Sequence, residues 1–297
     1  MRTGSVGARL FVLLQYCLPQ HLLSRGVRAM TRSRLLKRPL VAAFVRGYRP
    51  VMHDAIQTDP QAYRTFNEFF TRALLPDARV QPADAEALSC PVDGTVSSFG
   101  PIVDGQLWQA KGQNYSLLAL LAGDAAMAES HRHGSFITIY LAPYNYHRIH
   151  MPLAGELRAA SFVPGALFSV NDTTAAQVPG LFARNERVVC HFNQDGQPFT
   201  LILVGALFVG SMSTVWHGNI APRGRRIIPL QPLATAAPPA LARGAEMGRF
   251  NMGSTVILLF PKGMMTLAAT LRVGQLVRLG DFIGRRSAAG TTTPLPS

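Results

Sequence analysis

Apolar positions change their spacing once along this chain, near residue 76. Before that point they recur at helical intervals: Leu10 to Leu14, then Leu22 and Leu23, then Leu35, Leu36, Leu40, Val41, Phe44 and Val45. This pattern predicts two or three helices with an apolar face. A further helix is predicted with Asp59 as N-cap and Pro60 in its first turn, carrying Tyr63, Phe66, Phe69, Phe70 and Leu74. Beyond Pro76, Gly and Pro become frequent and the apolar runs shorten. Residues 135–141, 155–163, 187–193, 199–216 and 255–260 are rich in β-branched and aromatic side chains and read as strands. Residues 115–122 predict a single helix, 229–240 a Pro/Ala-rich loop or linker, and the tail from Ser287 disorder. The expected fold class is therefore α+β. N-terminal amphipathic helices (1–75) precede a β-rich domain (76–286) that would carry the chemistry, with a disordered tail (287–297).

Charge sharpens the picture of the N-terminal part. The 297 residues carry a formal charge of +13, and mean hydropathy is +0.15. Residues 1–50 hold ten Arg and Lys and no Asp or Glu. Basic helices with an apolar face lie in the headgroup layer of anionic membranes, whereas a nucleic-acid arm is more often polar. An anionic membrane surface is thus the expected partner, and nucleic acid is not; an organelle transit peptide is the alternative. The Leu10–Leu14 run is far short of the roughly 20 apolar residues of a span. Residues 199–216 are uncharged and long enough, but Gly205 and Gly210 interrupt them, which predicts two buried strands with a bend. Cys17, Cys90 and Cys190 show neither paired nor metal-ligand spacing, so no disulfide framework and no metal site is expected.

Four residues suggest chemistry. Asp93 sits in a PVDG turn, His147 and His150 in YHRIH just past a strand, and Ser254 in MGST just before one. Asp, His and Ser are the components of an activated hydroxyl nucleophile. Singly, each has a plainer reading as a turn, a satisfied polar group or a loop. The G-x-S-x-G elbow of the α/β-hydrolases is absent.

Eight ordered blocks carry more weight than any single motif. RTFNEFFTRALLPDAR (64–79), PVDG (91–94), KGQNYSLLALL (111–121), YLAPYNYHRIHMPLAG (140–155), FVPGALFSVN (162–171), LFARNERVV (181–189), VGALFVGSMSTVW (204–216) and GAEMGRFNMGSTV (244–256) together resemble the phosphatidylserine decarboxylases. Met252 stands where that family usually has Leu, Tyr144-Asn145 where x-Asp is usual, and Val80 where Pro is common. The resemblance implies a chain that cuts itself between Gly253 and Ser254, giving a large subunit 1–253 and a small subunit 254–297 held as a heterodimer. Ser254 would become a pyruvoyl group, which takes the substrate amine as a Schiff base and draws off electrons as carbon dioxide leaves. His150 would be the base in self-cleavage, with Asp93 holding its tautomer and stabilising its cation, and His147 would handle the proton in decarboxylation. The implied substrate is phosphatidylserine, the product phosphatidylethanolamine, and the location the cytoplasmic face of the cell membrane, held peripherally. A serine hydrolase using the same three residues, and a non-catalytic basic membrane-binding protein, are the alternatives.

Overall fold

A computed structural model describes residues 6–110, 113–208, 211–220, 224, 226–231 and 239–287. The expected linker at 229–240 falls largely on residues 232–238, and the expected tail on 288–297, which lie outside the described residues.

Three helices open the chain: α1 (Val6–Cys17), α2 (Gln20–Arg32) and α3 (Lys37–Tyr48). A short fourth, α4 (Phe66–Phe70), follows. It starts six residues later than Pro60 suggested. Asp59 instead accepts a hydrogen bond from the Gln61 amide at 2.8 Å, closing a local turn. Thr65 is the cap: its hydroxyl accepts from the Glu68 amide at 3.1 Å, and the Glu68 carboxylate reaches back to the Arg64 amide at 3.0 Å. The helix expected over 115–122 is likewise shorter, Leu117–Leu120, because Gln113–Ser116 forms a strand and Ser116 caps the helix.

The β-rich part is antiparallel throughout its named pairings. In the large sheet β1 (Gly94–Pro101) pairs with β2 (Ser135–Tyr140); β4 (Gly155–Val163), β5 (Arg187–Gln194) and β6 (Gln197–Val204) form a meander; and β10 (Thr255–Phe260) joins the two halves between β6 and β2. A smaller sheet holds β3 (Arg148–His150), β7 (Met212–Thr214), β8 (Gly218–Ile220) and β9 (Glu246–Phe250), in the order β8-β7-β9-β3. The run 199–216 is indeed two strand segments, β6 and β7, and Gly205 lies in the turn between them. Among the described residues no helix is long and apolar enough to cross a membrane.

Two apolar clusters hold these layers. Val256 to Phe260 of β10 are fully buried between the neighbouring strands. Phe44 of α3 meets Phe66, Phe69 and Phe70 of α4 edge-on, with centroids 5.3 to 5.8 Å apart. The N-terminal helices also touch the β-rich part directly. Gln15 of α1 donates to Thr174 and accepts from the Ser169 amide, and Gln20 of α2 accepts from the Leu167 amide.

Candidate active site

The chain passes between the two sheets several times, and one of these crossings is a short segment before β10. β9 belongs to the small sheet and β10 to the centre of the large one, so the chain crosses between them in Asn251, Met252, Gly253 and Ser254. Both ends of this crossing are held. The Asn251 carbonyl accepts from Asn67 at 2.8 Å, its amide donates to the Ser211 carbonyl, and its side chain donates to the Ser211 hydroxyl at 2.9 Å. On the far side the Ser254 carbonyl accepts from the Leu141 amide at 2.8 Å. Cross-strand register explains why distant residues converge here. Thr95, Tyr140 and Thr255 are neighbours across β1, β2 and β10, so Asp93, Leu141 and Ser254 lie at the same end of the sheet. β3 pairs with β9, which brings the two histidines to that end.

Ser254 is buried, and its hydroxyl has no hydrogen-bond partner. Such a group costs about 1–3 kcal/mol, so its presence calls for a reason. Gly253 is in close contact with the His147 ring: a Cβ there would overlap Cε1 and come within 2.9 Å of Nδ1. The His147 ring also stacks on Phe70 of α4, centroids 4.0 Å apart and planes 15° from parallel. His147 Nε2 bonds the Pro143 carbonyl at 3.1 Å, which requires the proton on Nε2 and leaves Nδ1 as an unpartnered lone pair. Burial pushes the pKa of this histidine down to about 3, so it is neutral at physiological pH.

His150 is held differently. Its Nδ1 donates to the Gly244 carbonyl at 2.7 Å, and its Nε2 lies 3.0 Å from the Tyr146 hydroxyl. Burial lowers its pKa, partly offset by the Gly244 carbonyl and by nearby carboxylates that include Asp93. Asp93 does not hold the tautomer as expected. Its carboxylate forms a two-point ion pair with Arg79, accepts from the Leu279 amide at 2.8 Å, and acts on His150 only through space. The Gly244 carbonyl is nearer to Nδ1 and takes that place.

The structure thus gathers Gly253, Ser254 and His147 in contact, with His150 and Asp93 at the same sheet end. Tyr146, Gly244, Phe70 and Arg79 complete the surroundings and were not singled out from the sequence. All four lay inside the quoted motifs, but a motif gives no sign of which group faces which nitrogen. Among the described residues no cluster of three His, Cys, Asp or Glu could hold a metal ion.

Comparison with known proteins gives the family. Residues 66–285 match the sequence model of the Phosphatidylserine decarboxylase family, and residues 10–49 match a second model described as PSD. The chain belongs to the phosphatidylserine decarboxylase family. It is 49% identical over 279 residues to a phosphatidylserine decarboxylase proenzyme of Pseudomonas putida (strain W619), covering 93% of this chain and 97% of the relative. It is 50% identical over 277 residues to that of Polaromonas naphthalenivorans (strain CJ2), covering 92% and 95%. The proenzyme of Methylococcus capsulatus (strain Bath) is 46% identical over 278 residues, covering 93% and 96%. Family members of this kind are thus named as precursors.

Proposed function

We propose that this chain cuts itself between Gly253 and Ser254 and then converts phosphatidylserine to phosphatidylethanolamine. The observation that carries the reading is a buried serine whose hydroxyl has no partner, in a four-residue crossing clamped at both ends. Gly253 has no room for a side chain, so the atoms around its carbonyl are close-packed and fixed.

Self-cleavage begins when the Ser254 hydroxyl attacks the Gly253 carbonyl. A neutral hydroxyl needs a base to take its proton. His150 fills that role. Its proton sits on Nδ1 against the Gly244 carbonyl, so Nε2 carries the lone pair, which accepts from the Tyr146 hydroxyl at rest and takes the serine proton when that hydroxyl turns aside; Asp93 favours the resulting cation through space. Acyl transfer replaces the amide by an ester; elimination and hydrolysis leave a keto group where Ser254 stood. The unpartnered hydroxyl and the small, enclosed site fit a pyruvoyl group made from that serine. Once formed, that group supplies an electron sink for loss of carbon dioxide from the bound amino acid head.

His147 serves the second stage. Its neutral ring, stacked on Phe70 and in contact with Gly253, presents the Nδ1 lone pair, which can take the proton that the substrate ammonium gives up and return it to the carbon that has lost carbon dioxide. A second reading exchanges the two histidines, and one observation favours it: the His147 ring, not that of His150, is packed against Gly253.

Access to a lipid follows from the N-terminal helices. Leu10, Leu13, Leu14 and Leu22 are 53% to 61% exposed among the arginines of that segment. Each Arg or Lys near an anionic bilayer contributes about 1 kcal/mol, so peripheral association with the inner face of the cell membrane is expected.

Substitutions separate the stages. Ser254→Ala leaves one uncut, inactive chain. His150→Ala slows cutting by on the order of 100-fold or more. His147→Ala cuts but decarboxylates poorly. Gel mobility and release of carbon dioxide measure these outcomes, and cutting that survives His150→Ala but fails in His147→Ala would establish the exchanged roles.

A further inference from the structure

Beside the histidines, three arginines converge on one cavity of about 280 Å³. Arg72 follows α4 and is only 3% exposed, yet its Nε has no hydrogen-bond partner, and one terminal nitrogen makes only a 3.4 Å contact with the Tyr144 carbonyl. Arg148 of β3 and Arg249 of β9 are direct cross-strand neighbours. Like charges in that position repel. Arg148 is offset by Glu246 at 2.8 Å, but Arg249 has no ion-pair or hydrogen-bond partner among the described residues. Glu68, whose carboxylate already accepts from the Arg64 amide, and Glu246 lie beside the cluster, and Asp54 acts on Arg72 through space, but none of these carboxylates pairs with Arg249. A buried cation with an open donor and a facing pair of guanidinium groups are costly unless an anion joins them.

The cluster adjoins the reaction centre. Phe70 stacks on His147 while Arg72, two residues on, lines the cavity and acts on His147 through space. A second cavity of about 350 Å³ shares Arg249 and Thr71 with the first and extends to Asn251, three residues before Ser254.

We propose that Arg72, Arg148 and Arg249 form the subsite for the phosphodiester of the lipid headgroup, which lies three bonds from the carbon that loses carbon dioxide. This rests on the decarboxylase reading above. The subsite gives the enzyme a grip on the headgroup that is independent of the reacting amine and of the acyl chains. Arg249, half-buried and otherwise unpartnered, closes on the phosphate, while Arg72 forms its floor.

The test uses the full chain in the uncut Ser254→Ala form, so that binding is read without the prosthetic group. Glycerophosphoserine is titrated by calorimetry into this protein and into the same protein with Arg249→Gln. The expected result is affinity weakened roughly tenfold or more by loss of one charged donor, with partial recovery in Arg249→Lys. In the enzyme carrying wild-type Ser254, Arg249→Gln is expected to raise KM for phosphatidylserine in neutral detergent micelles by a similar factor while self-cleavage goes to completion. Equal affinity for glycerophosphoserine in the presence and absence of Arg249, or no binding to the uncut chain, overturns the subsite. Inorganic phosphate binding as tightly as glycerophosphoserine also overturns it, in favour of a general phosphate site. Failure of the underlying reading shows itself separately, as a wild-type chain that neither cuts nor forms phosphatidylethanolamine.

Discussion

At Gly253 the scissile peptide is fixed by what is missing. A Cβ would overlap Cε1 of the His147 ring, and that ring is held by its stack on Phe70 and its bond to the Pro143 carbonyl. Gly253→Ala is therefore expected to slow self-cleavage by on the order of 100-fold, the scale of misplacing reacting groups by about 1 Å, while the chain still folds; a time course of fragment formation measures it, and an unchanged rate would contradict the contact. Sequence identified the reacting residues here but not how they are held. Asp93, His147, His150 and Ser254 were readable as chemistry-bearing types at strand ends. Which nitrogen each imidazole presents depends on the carbonyls of Pro143 and Gly244, one of them 94 residues away from its histidine. A backbone carbonyl exists at every position, so residue identity holds no trace of such a bond. The ion pair of Asp93 with Arg79 was equally hidden, since either carboxylate or guanidinium had other partners to choose from.

Elements were legible where one period dominated. The strands at 135–141, 187–193 and 255–260 appear nearly at their expected limits because consecutive β-branched and aromatic residues suit a sheet buried on both faces. The start of α4 was misplaced because Asp59-Pro60 and Thr65-x-x-Glu68 are both start signals, and the second satisfies more amides. The change of sheet between β9 and β10 was not legible, since Glu246–Phe250 carries two charges in five residues and shows no strand period of its own. Packing between elements makes its own prediction. Phe44 joins α3 to all three phenylalanines of α4, and one of these supports His147. Phe44→Ala is expected to lower stability by about 3–5 kcal/mol and to slow self-cleavage, as measured by denaturant midpoint and fragment yield. A midpoint equal to wild type would show that α3 does not brace the site.

Over the whole molecule, strand pairing predicts the fate of a cut chain. β10 pairs on both sides with strands of the 1–253 segment, and its five apolar side chains from Val256 to Phe260 are fully buried. Burial of that size is worth roughly 10 kcal/mol, so the two fragments remain one folded body. The protein's pH dependence is set in part by Glu186, where burial raises the carboxyl pKa from 4.5 to about 8; the exposed His21 ring lies 3.9 Å away. Because the folded value is the higher one, the carboxyl increasingly opposes folding as pH rises from about 4.5 to about 8, and its cost is constant above that. Glu186→Gln is expected to raise Tm at pH 8 to 9 with little gain near pH 4; a gain that is equal at both ends would contradict a buried, neutral carboxyl.

Everything proposed for the lipid reaction requires that the peptide bond before Ser254 be broken in the mature protein. Intact-mass spectrometry of denatured, purified protein reads this in one step. The expected spectrum contains the 1–253 fragment and a 254–297 fragment whose first residue has the mass of a pyruvoyl group. A single species at the full 32.2 kDa, with its serine unaltered, would contradict it.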